Sequence, residues 1–305
     1  MSKNNIGQLK RGRKRHVISL LQPRPDGGSF GTRRDACREN KFRADALRAD
    51  ARADLSIAHA ALRLADLLEA DAGGEEESRS PASAVVMLRL RTNFACAGME
   101  MIERNPDEPL SVVTLLPAGP NFVVPTLQGV KPKRLLEIVR ADLNRSGAKK
   151  ATGWLILALH GEFDDIAHLY RLHFHAVASG GMVDVMDKLR KLRKYRSKRQ
   201  DLEKLRTAVD KPIKISRKPI TNLPTTLAYV LQSFWPARSI TESGDRLLRK
   251  QRTKRRIPSP QHTEVLLWLD QWELKDMILL MKIHVSKGRL KLSRCQKNVQ
   301  FRRNG

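Results

Sequence analysis

The middle of the chain contains two strand-like runs, residues 153–160 and 172–177, which a polar connection separates. The second run alternates and includes the triplet His173-Phe174-His175. Side chains of a β-strand point to opposite faces in turn, so His173 and His175 are expected to share one face. Two adjacent imidazoles can bind one metal ion or one charged substrate, or can simply be polar residues on the wet face of a sheet.

A carboxylate just beyond the first run extends this pattern. Counting from Trp154, alternation places His160 and Glu162 on one face, and a hairpin would bring Glu162 across from the two histidines. Two imidazoles and one carboxylate can bind a divalent transition metal or Mg²⁺. Glu162 is therefore the predicted third ligand and His160 its competitor, whereas the acidic pair at 164–165 is expected to form a turn.

The order of elements predicts the fold class. Strands are expected at 110–116, 153–160, 172–177 and 211–216, and helices at 132–144 and 183–208 and from about Pro224 onward. The sequence strand, helix, strand, strand, helix, strand, helix predicts an α+β domain of about 130 residues, an antiparallel sheet with packed helices.

Helical segments are expected to flank this domain. Residues 1–39 are basic and aperiodic, which predicts a flexible N-terminal segment. A helical region follows at 40–106, built as a pair of helices, and the α+β domain occupies 107–238. Residues 239–305 are predicted to form a basic helical C-terminal region, with an apolar helix over 265–283.

The charge of the chain indicates a polyanionic partner. It has 58 Lys and Arg against 32 Asp and Glu, a net charge of +26. Segment 186–218 holds 14 basic and 4 acidic residues, and segment 246–256 holds 7 basic and no acidic ones. Clusters of this kind bind nucleic acid phosphates without sequence specificity.

Other classes of protein are disfavoured by the sequence. Its three cysteines are far apart and lack CxxC spacing, so neither a disulfide framework nor a structural zinc site is expected. No apolar run approaches the roughly 18 residues of a membrane span, and the N-terminus lacks the apolar core of a signal peptide. A cytoplasmic protein with no membrane partner is therefore expected.

Three motifs in order resemble one enzyme family. They are Val112-Val113-Thr114-Leu115, His173-Phe174-His175-Ala176-Val177-Ala178 and Leu227-Ala228-Tyr229-Val230-Leu231-Gln232. A strand ending in Thr-Leu, a His-hydrophobe-His strand and a tyrosine helix resemble the HUH endonucleases, specifically the rolling-circle replication initiators (Rep proteins) of plasmids and phages. The resemblance covers about residues 107–238, and 54 residues separate His175 from Tyr229.

The resemblance implies a metal-dependent enzyme that nicks and rejoins DNA to initiate replication of a bacterial mobile element. His173, His175 and Glu162 would hold Mg²⁺ or Mn²⁺, and Tyr229 would attack the DNA to form a 5′-phosphotyrosyl link. The family helix usually reads Tyr-x-x-Lys, but this chain has Gln232 at the lysine position, which can hydrogen-bond a phosphate but carries no charge. The substrate would be single-stranded DNA or an origin hairpin.

Three alternatives remain open from the sequence. Tyr195 lies in a true Tyr-x-x-Lys, residues 195–198, but only 20 residues after His175 and before the last strand. Gln232 is also compatible with a catalytically decayed, non-enzymatic DNA-binding protein on the same fold, and a basic RNA-associated protein is a more distant reading. No GxxxxGK[ST] motif is present in the sequence, so DNA unwinding would require a partner such as a host helicase.

Overall fold

The computed structural model describes residues 31–75, 78–104, 108–195, 212–218, 220, 223–232, 235–238, 240–242, 248–250, 255–286 and 289–293. Its helices are α1 (Arg33–Ala53), α2 (Ala58–Gly73), α3 (Ala84–Glu103), α4 (Pro132–Arg145), α5 (Gly181–Lys188), α6 (Leu223–Val230) and α7 (Gln261–Asp270). Three short 3-10 turns cover Leu189–Lys191, Arg193–Tyr195 and Leu274–Met277.

Eight strands form the main sheet: β1 (Leu110–Leu115), β2 (Val123–Val124), β3 (Leu155–Asp164), β4 (Leu169–Ser179), β5 (Ile213–Ser216), β6 (Pro236–Ala237), β9 (Arg255–Arg256) and β10 (Ile278–Met281). Two small hairpins consist of β7 (Ile240–Glu242) with β8 (Leu248–Lys250), and β11 (Ile283–Ser286) with β12 (Arg289–Leu292).

The main sheet confirms the predicted α+β class. Its strand order is β5-β1-β4-β3-β6-β9, with β10 paired to the first half of β3 and β2 paired to β4. Every pairing is antiparallel except one parallel bridge, Phe163 with Ala237, between β3 and β6. The sheet is therefore mixed rather than purely antiparallel.

The β3–β4 hairpin lies at the centre of the sheet and confirms the pairing expected between the two runs. The predicted position of Glu162 across from the two histidines is wrong, because in this register His160 lies directly across from His173 and Glu162 lies across from Arg171. Both strands are buried along almost their whole length because layers of helices cover both faces. Apolar side chains consequently fill the first half of β3 on both faces.

Two cores lie on opposite sides of the hairpin. On one face, side chains such as Leu157 and Phe174 pack with α4 and α7 in the main core. On the other face, Ile156, Val177 and Ala158 pack against α3 and α6 in a smaller core. Each fully buried Leu, Ile or Phe side chain contributes roughly 1.5–3 kcal/mol, so the hairpin is a rigid platform.

The flanking elements differ from the predicted organisation. Helix α1 begins at Arg33, inside the segment predicted to be flexible, and the helical region contains three helices instead of two. The buried side chain of Asn40 links the three helices, since its amide nitrogen donates to Leu68 O and Ser83 Oγ and its amide oxygen accepts from Ala84 N. Residues 1–30 of the predicted flexible segment lie outside the described part of the chain.

Two predicted helices are wrong in extent. The helix expected at 265–283 ends at Asp270, and residues 278–281 instead form β10, because backbone pairing with β3 outweighs their helical spacing. The basic helix expected from 183 ends at Lys188, and turns carry the chain on to Tyr195, which is buried in the main core. Residues 196–211 of that prediction lie outside the described residues.

Within the described residues, no helix has both the length and the apolar composition needed to cross a bilayer.

Candidate active site

Three histidines cluster on the face of the β3–β4 hairpin that carries the smaller core. The rings of His160 and His173 have centroids 6.0 Å apart, and the His175 ring lies 4.6 Å from His160 and 4.9 Å from His173. All three residues are buried. The expected shared face of His173 and His175 is thus observed, with His160 as a third neighbour.

Hydrogen bonds orient the two histidines of the His-Phe-His triplet. His173 Nδ1 lies 3.2 Å from the carbonyl oxygen of Arg171, so Nδ1 carries the proton and donates it. A neutral ring in this state has its lone pair on Nε2, the usual tautomer of metal-binding histidines. His175 Nδ1 lies 3.2 Å from Thr114 Oγ1 on β1, the residue paired with it in the sheet.

His160 connects the sheet to the helix that carries the tyrosine. Its Nε2 donates to the carbonyl oxygen of Val230 at 2.6 Å, because a carbonyl can only accept. Arg91 Nε on α3 donates to the carbonyl of Ala228 at 3.3 Å. The last carbonyls of a helix lack partners within the helix, so these two bonds hold α6 on both sides of Tyr229. His160 therefore has a structural role that competes with metal binding.

Tyr229 is the tyrosine that lies beside the histidines. Its ring centroid is 4.5 Å from that of His175, and the residue is 38% exposed. Burial raises the pKa of the phenol above its ordinary value of 10, with the Arg238 charge opposing this and the Glu162 charge adding to it. The phenol is accordingly protonated near neutral pH.

The other two tyrosines are structural. Tyr195 is buried and donates to Asp142 Oδ2 at 3.0 Å, and burial and that carboxylate raise its pKa. Tyr170 is likewise buried and donates to Glu264 Oε2 at 2.7 Å. The structure therefore supports Tyr229 over Tyr195 as the candidate nucleophile.

Glu162 lies on the same face of the hairpin as the histidines, and its carboxylate is close to a cation. Its Oε2 is 3.9 Å from Nε of Arg238, a residue that no sequence motif singled out. Asp164, expected in the turn, accepts from the turn amides at 166 and 167 and also pairs with Arg171 at 2.8 Å. The other carboxylate of that acidic pair, Asp165, pairs with Arg255 at 2.6 Å.

Gln232 does not occupy the position expected from helical spacing. Helix α6 ends at Val230, so Gln232 is not one turn beyond Tyr229 on a continuous helix. Instead Gln232 lines a small cavity together with His160 and Trp235. The helix ends early because the buried carbonyls at its last turn are held by side chains of α3 and β3.

Trp235 is a core residue and not a platform for stacking bases. It is 5% exposed and its ring lies 5.3 Å from that of Trp268 on α7. The Trp268 ring in turn lies 6.2 Å from that of Trp272. Phe234, next to Trp235 in the sequence, lies outside the described residues.

Imidazole and carboxylate groups are suitable ligands for a divalent ion, but His173, His175 and Glu162 do not form a preformed metal site. Among the residues that the structure describes, no group of three or more His, Cys, Asp or Glu side chains is placed to hold a metal ion. His173, His175 and Glu162 remain the predicted set, since imidazoles and a carboxylate fit Mn²⁺ or Mg²⁺ chemistry. Glu162 would have to exchange its contact with Arg238 for the ion.

No protein-family model, curated protein or solved structure matched the chain. The chemistry of the site therefore rests on its own geometry.

Proposed function

We propose that the protein is a metal-dependent DNA nicking and joining enzyme that acts through a tyrosine–DNA intermediate. The observation that carries this proposal is the contact of the Tyr229 ring with His175, at 4.5 Å between centroids. The two residues are 54 positions apart in the sequence, and the fold brings a half-exposed phenol onto a buried histidine cluster. A phenol placed in this way can reach a phosphate bound at the cluster.

The reaction is a transesterification. The Tyr229 oxygen attacks phosphorus and forms a phosphotyrosyl bond, the bond from phosphorus to the 3′ oxygen breaks, the phenol proton passes to solvent, and the departing oxygen takes a proton from solvent. A divalent ion at His173, His175 and Glu162 would stabilise the negative charge that develops on the phosphate oxygens. Attack by the freed 3′-hydroxyl on the phosphotyrosine reverses the step and rejoins the strand.

The charge of the chain supports a DNA substrate. A net charge of +26 favours contact with many phosphates, and such binding weakens steeply as salt increases. Residues 196–211 of the first basic cluster, and residues 246–247 and 251–254 of the second, lie outside the described residues. Within this proposal the enzyme acts in the cytoplasm as the replication initiator of a mobile element, on single-stranded DNA or an origin hairpin, with a host helicase for unwinding.

The test uses a randomised single-stranded DNA pool labelled at the 3′ end, because the target sequence is unknown. Incubation with Mn²⁺ or Mg²⁺ and denaturation in SDS should leave labelled DNA attached to the protein. Tyr229→Phe should abolish the adduct, whereas the matched variant Tyr195→Phe should retain it if it folds. An unaltered chain that forms no adduct across the pool would refute the proposal.

A second candidate is a non-enzymatic DNA-binding protein on the same fold. The observation that favours it is Gln232, which supplies no positive charge and lies beyond the end of α6. This protein would bind DNA with a steep salt dependence, and His173→Ala would leave DNA binding unchanged and no adduct would form. Preference for RNA over DNA in a competition assay would instead favour an RNA-associated protein.

A further inference from the structure

Arg238 directly follows strand β6, whose pairing with β3 fixes its position beside the candidate site. The Ala237 side chain faces the main core, and the amide of Arg238 donates to Phe163 O at 2.8 Å. Because side chains alternate along an extended chain, Arg238 points to the opposite face, where Glu162 lies. The pairing of β6 with β3 thus places a guanidinium next to the histidine cluster.

The guanidinium of Arg238 is incompletely satisfied. Its Nε is buried and has no hydrogen-bond partner among the described residues, and its contact with Glu162 Oε2, at 3.9 Å, is too long for a hydrogen bond. A buried donor without an acceptor costs on the order of 1–3 kcal/mol. An anionic ligand at the site would supply the missing acceptor.

Among the described residues, the arginines near the tyrosine differ in the partners that they bind. Arg171 also points to this face, but Asp164 accepts from both its Nε and its Nη2. Arg91 Nε donates to the Ala228 carbonyl, although its buried Nη1 has no hydrogen-bond partner among the described residues. The charge of Arg238, by contrast, acts on the Tyr229 phenol.

We propose that Arg238 binds the scissile phosphate and provides the positive charge that Gln232 does not. This inference rests on the proposed function. A guanidinium suits the role because its planar N–H groups can bind two phosphate oxygens at once and its charge does not depend on pH. Charge on those oxygens increases as the phenol attacks, so the interaction strengthens toward the transition state.

The experiment compares Arg238→Gln and Arg238→Lys with the unaltered chain on an oligonucleotide recovered from the adduct-forming pool. Arg63→Gln is the matched control, since Arg63 is an exposed cation on α2 that pairs with Asp270 and lies outside both basic clusters. Arg238→Gln should slow single-turnover adduct formation about 100- to 1,000-fold, the range seen when one transition-state donor is removed. The rate for Arg238→Lys should lie between those of Arg238→Gln and the parent, and the rate for Arg63→Gln should match the parent.

A binding measurement separates phosphate contact from a structural role. In a Tyr229→Phe background, replacing the scissile phosphate by a neutral methylphosphonate should weaken DNA binding when Arg238 is present and weaken it clearly less after Arg238→Gln, because only the divalent ion would then still contact the phosphate. Two results would contradict the role of Arg238 without affecting the proposed function. One is an equal rate of adduct formation for Arg238→Gln and the parent, and the other is an equal loss of DNA affinity on methylphosphonate substitution with and without Arg238. Absence of an adduct from the unaltered chain would overturn it together with the proposed function.

Discussion

Substitutions of His160 can distinguish between two possible roles of this residue. In one role it holds α6, the helix that carries Tyr229, and in the other it is a metal ligand. The ring is 2% exposed and Nε2 donates to Val230 O at 2.6 Å. His160→Ala leaves that carbonyl buried without this donor, which costs about 1–3 kcal/mol. Removing most of a buried ring also leaves a cavity, and this cavity lowers the free energy of unfolding by a further 1–2 kcal/mol, roughly. The expected loss in free energy of unfolding is about 2–5 kcal/mol.

Urea denaturation of the metal-free protein measures this loss, and calorimetric titration with Mn²⁺ measures the second role. His160→Gln is the matched variant because its amide can still donate to the Val230 carbonyl, so it should recover part of the stability. Mn²⁺ affinity should fall after His173→Ala and remain close to the parent value after His160→Gln. A His160→Ala protein with unchanged metal-free stability and lost Mn²⁺ binding would show that His160 is a ligand instead.

Three further substitutions test the scaffold. Arg171→Leu leaves the Asp164 carboxylate buried without its cation and should cost about 3–5 kcal/mol in urea denaturation. Gly161→Ala should destabilise by about 1–3 kcal/mol or more, because a Cβ there would lie 2.2 Å from the Trp235 ring. Burial, with nearby arginine charges, lowers the pKa of His262 to about 4. The unfolded chain therefore binds this proton first, and stability should fall by about 3 kcal/mol as pH drops from about 6.5 to 4.

Controls distinguish these effects from general damage. Arg255→Gln breaks an exposed ion pair and should cost less than about 1 kcal/mol, so equal losses for Arg171 and Arg255 would contradict the burial argument. His262→Gln should flatten the acid part of the stability profile, and an unchanged profile would mean that another group titrates. A stable Gly161→Ala protein would show that the Trp235 ring can move aside.

The sequence predicts the centre of the fold, and the strand face on which the candidate residues lie, because periodicity is strong there. Alternation in β3 and β4 correctly places His160, Glu162 and the two histidines of β4 on one face, and their pairing follows from the short polar connection. Residue Thr114, quoted as part of the first motif, lies in register with His175. These features depend on local geometry, which the sequence encodes directly.

The rest of the site depends on contacts between distant residues, which local patterns do not encode. Arg238 reaches Glu162 only through a two-residue strand with a single parallel bridge, so no spacing in the sequence marks it. Helix α6 ends before Gln232 although its apolar spacing continues, since Arg91 and His160 bind its last carbonyls. Likewise, β10 forms because β3 offers a free edge, which overrides the helical pattern of residues 278–281.

The central claim is that Tyr229 becomes joined to a 5′ phosphate of DNA. Trypsin, which cuts after Lys and Arg but not before Pro, would place Tyr229 on one peptide spanning 218–238 and Tyr195 on the separate dipeptide 195–196. Mass spectrometry of the nuclease-trimmed adduct should find a nucleotide linked through its 5′ phosphate to Tyr229 in the first peptide. A nucleotide on Tyr195 or on any other residue, or a chain that carries no nucleotide after exposure to the pool, would contradict the account.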